Sequence, residues 1–184
     1  MTWLAASLFL VSGIAPSLEQ AADTKFNYKR GFYSAGFTVV IQSKTEDSLI
    51  RYTTDGSLPG PDHGNGGVNP VSVEISKTTV LRAIAYAPGK LPSNVDTQTY
   101  IFLDDVIRQP KQVAGYPTPL LPAGRDTTVE LDYEMDPHIV NDPNQRAALI
   151  RGLKSIPTLS LAVDREAMFG ADGIYFASQG AGPT

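Results

Sequence analysis

Cysteine is absent from this 184-residue chain. That excludes disulfide staples, thiolate zinc sites and a Cys nucleophile. It leaves the compartment open, because an exported protein need not carry disulfides. Histidine is nearly absent, with only His63 and His138. A His-rich metal centre is therefore excluded, and a Ser-His-Asp triad would have to use one of these two. No stretch reaches the roughly 18 apolar residues of a membrane-spanning helix. The best candidate, Trp3–Ile14, is interrupted by Ser7, Ser12 and Gly13. Charge is sparse, at 18% charged residues and a net −4, with no long basic run. Nucleic-acid binding through phosphate neutralisation has no footprint here.

What is present is a globular, turn-rich composition: 42% hydrophobic residues, 16 Gly and 14 Pro. Trp3–Ile14 has the length of a signal-peptide core, so residues 1–23 are a candidate leader. Its start carries no Lys or Arg, and a fragment of a preceding strand stands as the alternative. Residues 18–31 are polar and without period, and read as a linker into Phe32-Tyr33. Strand signals follow at Phe37–Gln42, Leu49–Thr54, Val71–Ile75, Thr78–Ala87 and Asp96–Leu103. Each is rich in β-branched or aromatic residues or alternates with period 2. Asp55-Gly56 and Pro88-Gly89 carry turn chemistry, and Leu58–Pro70 reads as a long loop. Along the longest run, Leu81, Ala83 and Ala85 share one uncharged face, expected to meet the core.

After Leu103 the pattern changes. Residues 104–155 contain Pro110, Pro117, Pro119 and Pro122 and read as an extended linker carrying one helix, from Asp142 to Lys154. Asp142 is the expected N-cap, with Pro143 at the first helical position. Ile156–Val163 reads as a strand and Asp164–Phe169 as a helical turn. Residues 156–184 are then expected to be the truncated start of a second domain. The fold class expected is mainly β: an immunoglobulin-like antiparallel β-sandwich of about seven short strands over residues 24–103, with a partly irregular C-terminal extension.

Three groups of residues sharpen this. Arg51-Tyr-Thr-Thr-Asp-Gly-Ser57 with Pro59, the Thr78–Ala85 strand, and Gly89 followed by Pro92-Ser93-Asn94 resemble the chitobiase/β-hexosaminidase C-terminal domain family. That resemblance implies a small immunoglobulin-like sandwich serving as an accessory module beside carbohydrate-acting and cell-surface domains. Downstream, Asp132–Pro143, Ser155–Val163, Met168-Phe-Gly170 and Gly173-Ile-Tyr175 resemble the entry to CotH-kinase-like regions of bacterial exported proteins. This second resemblance implies that catalytic residues would lie beyond Thr184, so none is carried onto this chain.

The candidate sites are few. Tyr33, Tyr52, Tyr86 and Tyr100 are candidates for an aromatic platform for sugars, since Tyr offers a ring to stack and a hydroxyl to bond. Asp132, Glu134 and Asp136, with Asp142 nearby, offer oxygens for a hard cation such as calcium, though without the glycine and terminal Glu of an EF-hand loop; helix capping competes for them. Asp104-Asp105 on extended chain would point to opposite faces and so fail as a glycosidase pair. Asp62-His63-Gly64 leads into a strand, where a phosphate cradle would need a helix. The function expected is a non-catalytic accessory module of an exported bacterial protein that spaces or positions a neighbouring domain and binds carbohydrate weakly. The alternative is the N-terminal portion of a CotH-like kinase. No cofactor is expected. The expected partners are neighbouring domains of the same polypeptide and cell-surface glycans, with no nucleic acid and no membrane span, at an extracellular or cell-surface location.

Overall fold

The computed structural model describes residues 17–118, 128, 130–170 and 173–174. The candidate leader Trp3–Ile14 lies outside them, as do Pro119, Pro122 and most of residues 171–184. Among the described residues the elements run β1 (Thr24–Phe26), β2 (Gly31–Tyr33), β3 (Phe37–Ser43), β4 (Leu49–Thr53), β5 (Asn65–Val68), β6 (Val71–Ile75), β7 (Thr79–Tyr86) and β8 (Asp96–Phe102). The helices α1 (Leu103–Val106), α2 (Pro137–Asn141), α3 (Pro143–Ser155) and α4 (Arg165–Phe169) follow.

The strands form two sheets, one of order β1-β3-β6 and one of order β2-β8-β7-β4-β5. Their facing sides make a β-sandwich core. Val39 and Ile41 of β3 with Val73 and Ile75 of β6 come from one sheet; Ile50, Leu81, Ala83, Tyr100 and Phe102 come from the other. Leu81, Ala83 and Ala85 are all fully buried, as the uncharged alternation predicts. The two alanines let the sheets approach closely at the centre of β7. At one end the core is aromatic: Tyr33, Phe37, Tyr100 and Phe102 pack edge-to-face, tilted or, for Phe37 on Phe102, parallel, and the half-exposed Tyr28 stacks on Phe37 at 4.4 Å.

Several expectations are corrected. Residues 18–31 are not a linker. They contribute β1 and the first residue of β2, and the segment before β1 is tied down: the Ala21 amide donates to the Leu91 carbonyl (2.8 Å) and the Ala22 amide to Thr45 Oγ1 (2.8 Å). Thr24 is buried and donates to Asp96 Oδ2 at 2.8 Å. Polar residues here satisfy one another across a seam, which apolar periodicity cannot reveal. The sandwich has eight described strands where about seven were expected, and it is not wholly antiparallel, because β2 pairs with β8 in parallel. The expected loop Leu58–Pro70 contains β5, paired antiparallel with β4. Gly66 and Gly67 have no strand propensity of their own, yet a Cβ at Gly66 would lie 2.9 Å from the Ile50 carbonyl, so only glycine fits this approach. Asn69 closes the adjoining turn by bonding Ser43 through both its side-chain oxygen and nitrogen, in the manner of a strand residue.

Residues 104–155 carry three helices where one was expected, α1, α2 and α3. Asp142 does cap α3, accepting from the Asn144 and Gln145 amides with Pro143 in the first turn, and Asp164 caps α4 in the same way. Ile156–Val163 forms no strand and pairs with none among the described residues. Its apolar side chains face water, with Leu159 at 83% and Leu161 at 69% exposure. The alternation is real, and the ladder partner that would make it a strand is missing among the described residues.

Candidate functional site

The Asp55-Gly56 turn is built as the sequence predicts. Asp55 Oδ1 accepts from the Ser57 amide (3.0 Å) and the Ser57 hydroxyl (2.6 Å). Gly56 has φ +82°, and its amide reaches across to the Val80 carbonyl at 3.1 Å. Buried Thr53 donates to the Ser57 carbonyl at 2.6 Å, and Pro59 is buried beneath the turn. The Gly89–Asn94 motif works similarly. Ser93 is buried and exchanges two bonds with Ala85: its amide donates to the Ala85 carbonyl, and its Oγ accepts from the Ala85 amide, both at 2.9 Å.

Ser57 Oγ also lies 2.9 Å from His63 Nε2. The trio Asp55, Ser57 and His63 has the residue types of a catalytic triad in the wrong order. In a working triad the carboxylate orients the imidazole, and the imidazole takes the serine proton. Here the serine proton is given to Asp55, so His63 can only donate to Ser57. The hydroxyl is held as a donor to a carboxylate and is not an activated nucleophile. The same bond, with the Ser57 amide, holds the Asp55 carboxyl below its ordinary range.

The four candidate tyrosines do not form one platform. Tyr100 is fully buried, and its hydroxyl donates to the Tyr28 carbonyl at 3.1 Å; burial pushes its phenol well above the usual range. Tyr33 packs on the core and donates to the Lys29 carbonyl at 2.6 Å. Tyr52 packs on the core from β4. Tyr86, half-buried, sits opposite Leu49 on the outer side of the five-stranded sheet, where partial burial raises its phenol pKa. Inward and outward tyrosines cannot converge, because alternate strand residues face opposite sides.

The acidic candidates are local turn and cap residues. Asp132 accepts from the Glu134 amide (3.1 Å), and Asp136 caps α2 through the His138 amide (2.8 Å). Among the described residues no group of three or more His, Cys, Asp or Glu converges as a metal set. The Asp104-Asp105 pair is not on extended chain, as expected from sequence, but in the first turn of α1. Asp105 accepts from the Thr78 amide at 2.7 Å, and Asp104 lies 3.6 Å from Arg108. Their role is to fasten the helix.

A concave site that sequence reasoning missed lies on the outer face of the five-stranded sheet. It is a groove of about 390 Å³. Arg30 and Phe32 flank it from β2 and the residue before it, Arg82 rises from β7, and Thr97, Thr99 and Ile101 line its floor from β8. The unpaired segment at Thr158–Ala162 forms the remaining wall, tied to the sheet by the Thr99–Ser160 hydroxyl pair at 2.7 Å. The alternation Thr97, Thr99, Ile101 is the signal that could have found it: β-branched residues, two of them polar, on the non-core face of an interior strand.

Residues 39–100 match the family model described as Fn3 associated. The match covers about a third of the chain, from the middle of β3 to Tyr100 in β8, and includes both turn motifs. The comparisons give no support to the CotH-like reading of residues 132–175. No curated protein and no solved structure matches the chain. No helix among the described residues is long and apolar enough to cross a membrane.

Proposed function

We propose that the chain is a non-catalytic accessory module that holds a neighbouring part of its polypeptide at a fixed bearing, with carbohydrate as its ligand class. The observation that carries this reading is the way the sandwich ends. β8 runs without a break into α1, whose Leu103 is buried and whose following Ile107 is 2% exposed. Thr78 clamps the junction from β7's side: its hydroxyl accepts from the Phe102 amide at 2.9 Å and its own amide donates to Asp105. A flexible tether would have polar, exposed residues at this point. A buried isoleucine and a two-way side-chain clamp instead make the exit a stiff joint. The Fn3-associated match supports an accessory role. A cell-surface setting, with glycans and neighbouring domains as partners, rests on the family resemblance of residues 24–102.

The test uses the absence of native cysteine. Spin labels on Glu46→Cys, in the turn before β4, and Arg108→Cys, beyond α1, report one distance across the joint. A single narrow distance distribution supports the positioning role, and a broad one contradicts it.

A further inference from the structure

We propose that the groove on the outer face of the five-stranded sheet binds an acidic saccharide, a pyranose bearing a carboxylate. The proposal rests on the carbohydrate reading above and names the kind of sugar. In a chain of net charge −4, this groove is lined by two arginines, Arg30 and Arg82, and by no Asp or Glu. Neither guanidinium has a carboxylate partner among the described residues. Arg82 is held in place on a central strand, where it donates to the Gly56 carbonyl at 3.2 Å. Arg30 sits on a clamped loop, its backbone amide bonded to Gln98 Oε1 at 2.7 Å while its side chain is exposed. The Arg82 guanidinium, already held on a rigid strand, loses little freedom on binding an anion, and Arg30 adds a second charge from an anchored backbone.

The rest of the lining suits a sugar. Thr97 and Thr158 present hydroxyls that both donate and accept, the pairing a polyol needs, and the Thr99–Ser160 hydroxyl pair keeps one donor and its acceptor lone pairs. Phe32 is 37% exposed and offers a ring to the apolar face of a pyranose. The volume, about 390 Å³, is at the lower end of small-ligand sites. A carboxylate fits better than a phosphate. Phosphate sites draw on free backbone amides at a glycine-rich turn or a helix start, whereas Arg82, Thr97 and Thr99 lie within the β7–β8 ladder.

Titration calorimetry of the full chain with an oligogalacturonate, against the same oligosaccharide methyl-esterified to remove its charge, tests this. The expected result is binding of the acid form alone, weakened by added salt. Arg30→Gln should weaken it roughly tenfold or more, the usual scale for one charged hydrogen bond, and Phe32→Ala should also weaken it. Both side chains are exposed and are not expected to disturb the fold. Binding of the ester alone, or of both forms equally, overturns the acidic assignment and leaves the carbohydrate reading standing. Binding of neither overturns both and leaves the positioning role to the spin-label experiment. Acid binding that Arg30→Gln and Phe32→Ala leave unchanged removes the site from this groove.

Discussion

Replacing Ile107 with Ala should destabilise the whole sandwich, although Ile107 lies outside the strands and beyond the matched residues 39–100. It is 2% exposed and among the largest fully buried side chains of the protein. Truncation removes three carbons, worth about 0.8 kcal/mol each in transfer from water, or about 2.4 kcal/mol. An unfilled cavity of about 40 Å³ adds about 1 kcal/mol. The expected cost is therefore about 3 kcal/mol, a substantial share of the 5–15 kcal/mol typical of a domain. Urea denaturation would read it as a lower midpoint with an unchanged slope. For a domain of this size the melting temperature should fall by about 15 °C. Ile156→Ala is the control: at 59% exposure it should stay within about 0.5 kcal/mol of the parent. A loss below about 1 kcal/mol at Ile107 would refute the reasoning, because it would mean that the exit turn is not part of the core.

Other consequences are equally direct. Tyr100→Phe leaves the Tyr28 carbonyl without its donor and should cost about 1 kcal/mol in urea. The Tyr100 phenol has a folded pKa above its unfolded one. Its contribution is therefore complete below about pH 10 and falls as pH rises past that value, since only the unfolded chain releases the proton easily; flat stability between about pH 9 and 11 would contradict this. Ser57→Ala should raise the Asp55 carboxyl pKa toward the ordinary value, read by carboxyl NMR titration, because the Ser57 hydroxyl is the largest cause of its depression. The sign for the parent follows: Asp55 stabilises the turn above about pH 4, and that contribution is lost as pH falls through its lowered pKa. Gly64→Ala should cost well over about 1 kcal/mol, since Gly64 has φ +92° and a Cβ there would lie 2.5 Å from the Tyr52 carbonyl. Gly89→Ala, with φ +71° but open space around it, should cost only the backbone strain of about 1–2 kcal/mol.

The central strands were legible because period and burial agree there: alternating apolar residues on β3, β6 and β7 have only one way to face a second sheet. The Asp55-Gly56 and Pro88-Gly89 turns were legible because their residues carry local mechanisms. The parts that were not legible depend on partners distant in sequence. Thr24 is buried only because Asp96, 72 residues away, accepts its hydroxyl. β5 is a strand only because β4 offers an edge to two glycines. Ile156–Val163 has a strand's alternation without a ladder, since periodicity reports a preference for pairing and says nothing of what is there to pair with. The tyrosine candidates failed as a group for a related reason: composition counts rings, and only register tells which side of a sheet each ring faces. The groove escaped notice because its floor and its cations come from strands far apart in the chain.

Hydrogen exchange at two amides tests the central claim, that the exit turn belongs to the sandwich. The Ile107 amide donates to the Leu103 carbonyl at 3.0 Å, and the Thr78 amide donates to Asp105 at 2.7 Å. If α1 is part of the sandwich, both should exchange only when the core opens, with the same free energy as the Leu81 amide in the centre of β7. Exchange of both amides at near-unprotected rates, while Leu81 stays protected, would show a tether in place of a joint and contradict the account.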